Sequence, residues 1–301
     1  MNTTVQVAWG LQAQLGEGPV WHAASGRFFF VDIHGCAVHA WNPVSGACHS
    51  WACPERVCWL IPRSDGDGWL AGRQSGFYRL WLDGPTPAWQ YLPSEHPRDG
   101  DVRLNDAKAD PWGRVWAGSM NNADPRRPDD ALYCVEPDGA VHCVERGMHI
   151  ANGPAIAPDG SWMLHTDSLR NTVYRYRLDA QGLHDKTPWR CFTEAEGTPD
   201  GMTFDADGQV WIAFWGGACV RQLDAQAHTL QCVPVPALQV TSVAFGGADL
   251  RTLCITSART GLADDLLAQQ PSNGALFLLA GAAQGLAACG WGGKKGDRIC
   301  A

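Results

Sequence analysis

Three short segments of this chain repeat one pattern, in which an acidic or amide residue precedes glycine and a short apolar strand. They are Glu17-Gly18-Pro19-Val20, Asn152-Gly153-Pro154-Ala155 and Asp200-Gly201-Met202-Thr203. Each runs into a Gly-containing turn and a second, bulkier strand: Gly26-Arg27-Phe28-Phe29-Phe30, Gly160-Ser161-Trp162-Met163-Leu164 and Gly208-Gln209-Val210-Trp211-Ile212. The turn glycine follows the polar residue by eight positions from Asn152 and Asp200 and by nine from Glu17. A pattern that recurs at a fixed spacing describes a stacked or radial array of like units. In a radial array, equivalent positions from different units meet near the axis.

The rest of the chain carries the same pattern. Asn105-Asp106-Ala107-Lys108 leads to Gly113-Arg114-Val115-Trp116-Ala117, and Thr241-Ser242-Val243-Ala244 leads to Asp249-Leu250-Arg251-Thr252-Leu253. A fainter copy begins near Val57 and runs through Asp65-Gly66-Asp67-Gly68 to Trp69. The starts fall near 17, 57, 105, 152, 200 and 241, a period of 40 to 48 residues. That length suits a four-stranded propeller blade and is too long for leucine-rich or ankyrin repeats. Capped amphipathic helices are missing from the pattern; the best helical stretch is Leu262 to Gln269. The expected fold is therefore all-β: one six-bladed propeller of four-stranded antiparallel blades, filling residues 1–301 as a single domain. An open circle of blades would leave edge strands exposed. The run Thr4-Val5-Gln6-Val7-Ala8-Trp9 has no blade of its own, so it is expected to close the ring beside Ala275 to Ala280 in the last blade.

Composition bears on partners. With 34 Gly and 19 Pro the chain has turn residues enough for a β-meander, and its 15 Trp supply bulk for packing between blades. A net charge of −8 and a pI near 5.6 leave no basic stripe to neutralise phosphates, which argues against nucleic acid. Residues 1 to 15 lack a basic segment followed by an apolar core, so a cytoplasmic protein is expected. The tract Gly274 to Gly293 is broken by Gln284 and several glycines; it reads as a strand and a loose tail, not a membrane span. The 12 cysteines are scattered, with no C-x-x-C pair, and read as small buried hydrophobes in a reducing compartment. A monomer or weak homo-oligomer is expected.

Turn chemistry alone explains any one of the opening motifs, because Glu, Asn and Asp side chains bond nearby amides. Three at equivalent positions ask for more. Two carboxylates, Glu17 and Asp200, converging near an axis repel unless a cation or proton lies between them. With Asn152 they offer only hard oxygen donors, which suit Ca2+, Mg2+ or Mn2+; Zn2+ or Fe2+ also accept carboxylates. Ser119 lacks the second glycine of a nucleophile elbow, and the ten histidines form no H-E-x-x-H motif, so serine-hydrolase and zincin chemistries find no support. His165 is expected in a hydrogen-bonded pocket wall or at substrate.

Leu15-Gly16-Glu17-Gly18-Pro19-Val20-Trp21, Arg103-Leu104-Asn105-Asp106, Ala151-Asn152-Gly153-Pro154 and Pro199-Asp200-Gly201 together resemble the signatures of the SMP-30/gluconolactonase family, the regucalcin-like sugar lactonases. The resemblance spans nearly the whole chain and includes Trp116-Ala117-Gly118-Ser119-Met120 and Trp215-Gly216-Gly217. The Trp215 loop and Thr260-Gly261-Leu262-Ala263-Asp264 look more like bacterial pentonolactonases than the animal members. The resemblance implies one divalent metal held by Glu17, Asn152 and Asp200. It also implies hydrolysis of sugar lactones, with Arg103 and Asn105 contacting substrate and Asp200 as the catalytic base. A carboxylate on a dication is a weak base, however, so either Asp200 is loosely bound or a cation-activated water attacks directly. One departure stands out: where family members often carry an acidic residue, the loop here is Asn121-Asn122-Ala123, with Asp124 one step beyond. Substrate identity therefore does not carry over. Two other classes fit the same scaffold: a phosphotriesterase or arylesterase, and a non-catalytic propeller that binds calcium or a small molecule.

Overall fold

The structure is a computed structural model and describes residues 4–97, 100–293, 296 and 298. It is almost entirely β, with a six-residue helix at Asp264–Gln269, inside the stretch expected to be helical. Strands Gly16–His22, Arg27–Asp32, Ala37–Trp41 and Cys48–Ala52 pair in that order as one antiparallel sheet, and Val57–Pro62, Trp69–Arg73, Gly76–Trp81 and Ala88–Leu92 as the next. A third sheet runs in the same way from Val102–Ala109 to Val141–Met148, and a fourth from Ala151–Ile156 to Gly182–Cys191. The remaining strands form an eight-stranded sheet. Within it Thr198–Phe204, Val210–Trp215, Cys219–Leu223 and Thr229–Pro234 pair in order, as do Gln239–Gly246, Thr252–Ala258, Leu276–Ala280 and Gln6–Trp9. Those two runs meet at one residue pair, Trp215 with Gln239. Gln6–Trp9 lies antiparallel to Leu276–Ala280, the closure that the sequence pointed to.

The first strands of the runs touch one another in sequence order, and Gln239–Gly246 returns to touch Gly16–His22. Sheets of four antiparallel strands set around a closed ring of inner strands are consistent with a β-propeller. Burial follows position in the sheet. The inner strand Gln239–Gly246 is buried throughout, whereas the outer strand Thr229–Pro234 is almost wholly exposed. Between neighbouring sets lie the large side chains: Phe77 meets Tyr133 edge-on, and Trp211 meets Phe245 in the same way.

Part of the repeat has a plain structural cause. Asp110 Oδ1 accepts from the amides of Trp112 and Arg114 at 2.9 and 3.1 Å, which fixes the turn, and its Oδ2 accepts from Trp116 Nε1 at 2.8 Å. Asp205 does the same two sheets later, binding the amides of Asp207 and Gln209 and Trp211 Nε1. An Asp, a turn glycine and a Trp six positions after the Asp thus form one unit that joins hairpin to core.

Every inner strand also loses register at one place. The irregularities fall between Glu17 and Val20, Val57 and Trp59, Leu104 and Ala107, Asn152 and Ala155, Pro199 and Met202, and Val240 and Ser242. A bulge bends the strand and re-aims a side chain. Counted along the repeat, the residues at these bulges are Glu17, Cys58, Asn105, Asn152, Asp200 and Thr241. Glycine accompanies the bulge where the backbone demands it: Gly153 has φ +74°, and a side chain at Gly201 would collide with Ser242.

Two expectations need correction. The tail after Ala280 is a strap, not loose chain: Gly281 and Gly285 bond to Arg251 and Leu250, and Gln284 O accepts from the Ala206 amide. The segment then crosses to the second and third sheets, where Trp291 N donates to Pro62 O at 2.8 Å and Trp291 Nε1 to Glu136 O at 2.9 Å. The cysteines are not uniformly buried thiols. Ten are free, of which Cys48, Cys191 and Cys232 are exposed, while Cys289 is disulfide-bonded. Among the described residues no helix is long and apolar enough to cross a membrane.

Candidate functional site

The bulge residues of the third, fourth and fifth sets are wired together. Arg103 Nη1 donates to Asn105 Oδ1 at 2.5 Å and to Leu104 O at 3.0 Å. Asn105 Nδ2 donates to Asn152 Oδ1 at 2.6 Å and to Ala151 O at 3.0 Å. Asn152 Nδ2 donates to Ser168 Oγ at 2.9 Å, and Ser168 Oγ to Pro199 O at 2.8 Å, next to Asp200. All these side chains are buried. The relay fixes both amides: Asn105 presents its NH2 to Asn152, so Asn152 keeps its oxygen on the side of Asn105. Asn105 thus touches Asn152 directly, and both ends of its amide are engaged within the protein.

Three buried carboxylates complete the group. Glu17 is pushed up from 4.5 to about 8 by burial first and by Asp106 second, although Glu17 Oε2 accepts from the Gly18 amide at 3.0 Å. Asp106 rises from 3.8 to about 6, again through burial. Asp200 is pushed well above its ordinary value by burial, then by Glu17 and Asp106. Arg103 opposes the rise at both Glu17 and Asp200, so its guanidinium faces the same group. Strong mutual elevation of buried acids marks a place where charge is held against its natural tendency, and such places are enriched in function. Sequence reasoning passed over Asp106. It stands where the other sets have Gly18, Gly153 and Gly201, and beside Asn105 it reads as half of a turn pair.

Does this set suit a divalent cation? Asp200 Oδ1 is buried with no hydrogen-bond partner among the described residues, an orphaned acceptor that costs free energy unless something binds it. Glu17, Asn152 and Asp200 supply oxygen donors alone, the set a hard dication prefers. Among the described residues no three His, Cys, Asp or Glu side chains are grouped as a metal cage. The expected set holds two carboxylates and an amide, and an amide lies outside that grouping. The residues fit the cation.

Neighbouring side chains are otherwise committed. Asn121 Oδ1 accepts from the amides of Ala123 and Asp124 at 3.0 and 2.8 Å, so the departure seen in this loop shapes a turn. His165 is fully buried, and burial drives its pKa down to about 3; neither ring nitrogen has a partner among the described residues. It is a neutral ring packed among the strands, and the hydrogen-bonded wall expected for it is not seen.

Residues 15–259 match the family described as SMP-30/Gluconolactonase/LRE-like region, and the chain belongs to that family. It is 33% identical over 281 residues to a 6-deoxy-6-sulfogluconolactonase of Pseudomonas putida, covering 92% of this chain and 94% of that protein. It is 36% identical over 254 residues to a pentonolactonase of Haloferax volcanii, covering 81% and 82% of the two chains. Among solved structures, a calcium-binding regucalcin of Agrobacterium tumefaciens superposes with a TM-score of 0.91 at 26% identity, over 96% of this chain and 97% of that one.

Proposed function

We propose that this chain is a lactonase that opens five- or six-carbon sugar lactones to aldonic acids, with one divalent cation held by Glu17, Asn152 and Asp200. The carboxylate group carries the reading: two acids and an amide at equivalent bulges, buried, mutually repelling, with Asp200 Oδ1 unpartnered among the described residues. The lactonase names of the relatives that match over most of their length support the reaction type. We read the six runs of four strands as six blades of a single propeller domain over residues 1–301, acting in the cytoplasm on a small-molecule substrate.

When bound, the cation offsets the paired negative charges and polarises the lactone carbonyl. The chain's own residues do the rest. The Asp200 carboxylate, through the oxygen that is not turned to the cation, accepts a proton from the attacking water and returns it to the ring oxygen as the acyl bond breaks. Water thus adds across the ester bond, leaving a hydroxyl and a carboxylic acid that releases its proton to solvent as the aldonate forms. Arg103 stays protonated throughout, so it orients the lactone and meets the negative charge that grows on the carbonyl oxygen. Its Nε has no partner among the described residues, while Nη1 is held by Asn105. Asn105 fixes the amide of Asn152 and the guanidinium of Arg103 together, which ties the cation's ligand to the group that holds substrate.

The deciding experiment is a pH-indicator assay of glucono-, galactono-, xylono- and arabinono-lactones with metal-stripped and metal-restored protein. Metal-dependent opening above the spontaneous rate is expected for at least one of them. Reaction of a phosphotriester or aryl ester with none of the lactones would replace this reading. Tight calcium or sugar binding without any turnover would make the protein a sensor.

A further inference from the structure

A cavity of about 120 Å3 is lined by residues of all six inner strands, among them Gly18, next to Glu17, and Asp106. Its walls include the residues three positions beyond the six bulge residues: Val20, Ile61, Lys108, Ala155, Thr203 and Ala244. Five are small or apolar and one is a lysine. Among the described residues, the charged ones lining the cavity are Asp106 and Lys108, both from Val102–Ala109. Apolar rings close in around them, with Trp59, Ile156 and Phe245 on the walls and the strap residues Leu286 to Cys289 across the far end.

Such a lysine is costly in a low-dielectric channel unless its charge has a use. Burial pulls its pKa down while Asp106 pushes it up, and Lys108 in turn lowers Asp106. Asp106 then acts on both Glu17 and Asp200. One strand therefore sets a carboxylate and an ammonium, two residues apart, on the wall of one cavity, with the Asp106 carboxylate bonded to the Gly153 amide, next to Asn152. With Glu17, Asp106 and Asp200 ionised, Arg103 and Lys108 bring the group close to neutrality. Without Lys108 the cluster would hold a dication more tightly.

We propose that Lys108 is a positioning residue whose ammonium, acting through Asp106, limits the pull of the Glu17–Asp200 site on a divalent cation, so that one cation binds and exchanges. The proposal rests on the cation reading given above. It predicts an effect of unusual sign. Damage to a binding site loosens binding, whereas removing a positive charge near a dication tightens it.

The test is calorimetric titration with Mn2+ of the full-length wild type and of Lys108→Met, Lys108→Gln, Lys108→Arg and Asp106→Asn. Lys108→Met and Lys108→Gln are expected to bind Mn2+ at least about tenfold more tightly than wild type, and Asp106→Asn about tenfold more weakly. Lys108→Arg keeps the charge and should stay within about threefold. Unchanged or weaker binding in whichever neutral variant retains the wild-type circular dichroism overturns the role of Lys108 and leaves the cation site standing. Absence of stoichiometric Mn2+ binding by the wild type overturns both readings.

Discussion

The second and sixth sets of strands differ from the first, fourth and fifth in one respect that decides where chemistry occurs. All inner strands bulge at the same repeat position. Glu17, Asn152 and Asp200 bring oxygen donors to that position, whereas Cys58 and Thr241 bring none that is free. The Cys58 thiol is fully buried, and burial pushes its pKa to about 11, so it is neutral and poorly nucleophilic. Thr241 Oγ1 donates to Gly16 O at 2.5 Å and is 2.9 Å from Thr256 Oγ1, so its hydroxyl joins the last set to the first. The bulge is thus a property of the scaffold. On the proposed reading, function comes from which side chain the bulge carries, and the remaining positions are released for packing and ring closure.

The largest effect should come from exchanging chemistry at that position. Asp200→Ala removes an orphaned acceptor and half of the carboxylate pair, so stoichiometric cation uptake should vanish and kcat/KM should fall by at least about 1,000-fold, ~4 kcal/mol of transition-state stabilisation. Cys58→Ala, at the matching bulge, should keep cation uptake and cost only about 1 kcal/mol of stability. Elemental analysis and denaturant melts of both variants make the comparison. Equal cation loss in the two would dissolve the distinction between ligand sets and packing sets.

A smaller effect separates the two groups by pH. A carboxyl whose folded pKa is raised favours folding in its protonated form, so its contribution is lost as pH rises from the unfolded value towards the folded one. For Glu17 that window runs from 4.5 to about 8, and Asp200 moves in the same direction. His34 and His39, both lowered to about 4, oppose this below their ordinary value of 6.5, where they lose stability as pH falls. Between about 6.5 and 8 the histidines no longer oppose, and Glu17 and Asp200 act together with Asp130, which burial also raises to about 8. There the cation replaces the proton, so the gain in melting temperature on adding Mn2+ should grow with pH. Melting scans at several pH values, with and without Mn2+, measure it. A gain independent of pH across that window would mean that Glu17 and Asp200 do not share the ion.

Much of this was legible in the sequence because the repeat is written in residues with fixed physical jobs. The polar residue that opens a repeat, the turn glycine eight or nine positions on, the bulky strand after it and the closing strand Gln6–Trp9 all follow from local spacing. Glu17, Asn152 and Asp200 stood out because they fall at the same spacing in different units. Asp106 and Lys108 were in plain view but share a strand with Asn105, and only the ring of equivalent positions shows that they replace glycine and small residues. The strap was illegible for a different reason. Gly281 to Gly292 has no alternation of apolar and polar residues, and its order comes from backbone hydrogen bonds to distant sheets plus the side chains of Gln284 and Trp291. Likewise the departure at Asn121 has a local cause that spacing does not show, since its carbonyl holds the Ala123 and Asp124 amides.

The smallest effect concerns the sixth set. Thr241→Val keeps the volume of the side chain and removes only its hydroxyl, leaving Gly16 O and Thr256 Oγ1 without that partner. A lost hydrogen bond costs about 1 kcal/mol, and a buried acceptor left unpaired raises that to about 1–3 kcal/mol. Since the bond spans the junction between Gly16–His22 and Gln239–Gly246, the loss should appear as lower resistance to denaturant, with cation affinity changed by no more than about threefold. Gly16 lies directly before Glu17, so the variant also asks how rigidly the junction holds that ligand. A fall in Mn2+ affinity of tenfold or more would show that Thr241 belongs to the ligand sets after all, by fixing Glu17 through its neighbour. Unchanged affinity with reduced stability would place the whole contribution of the sixth set in closing the ring.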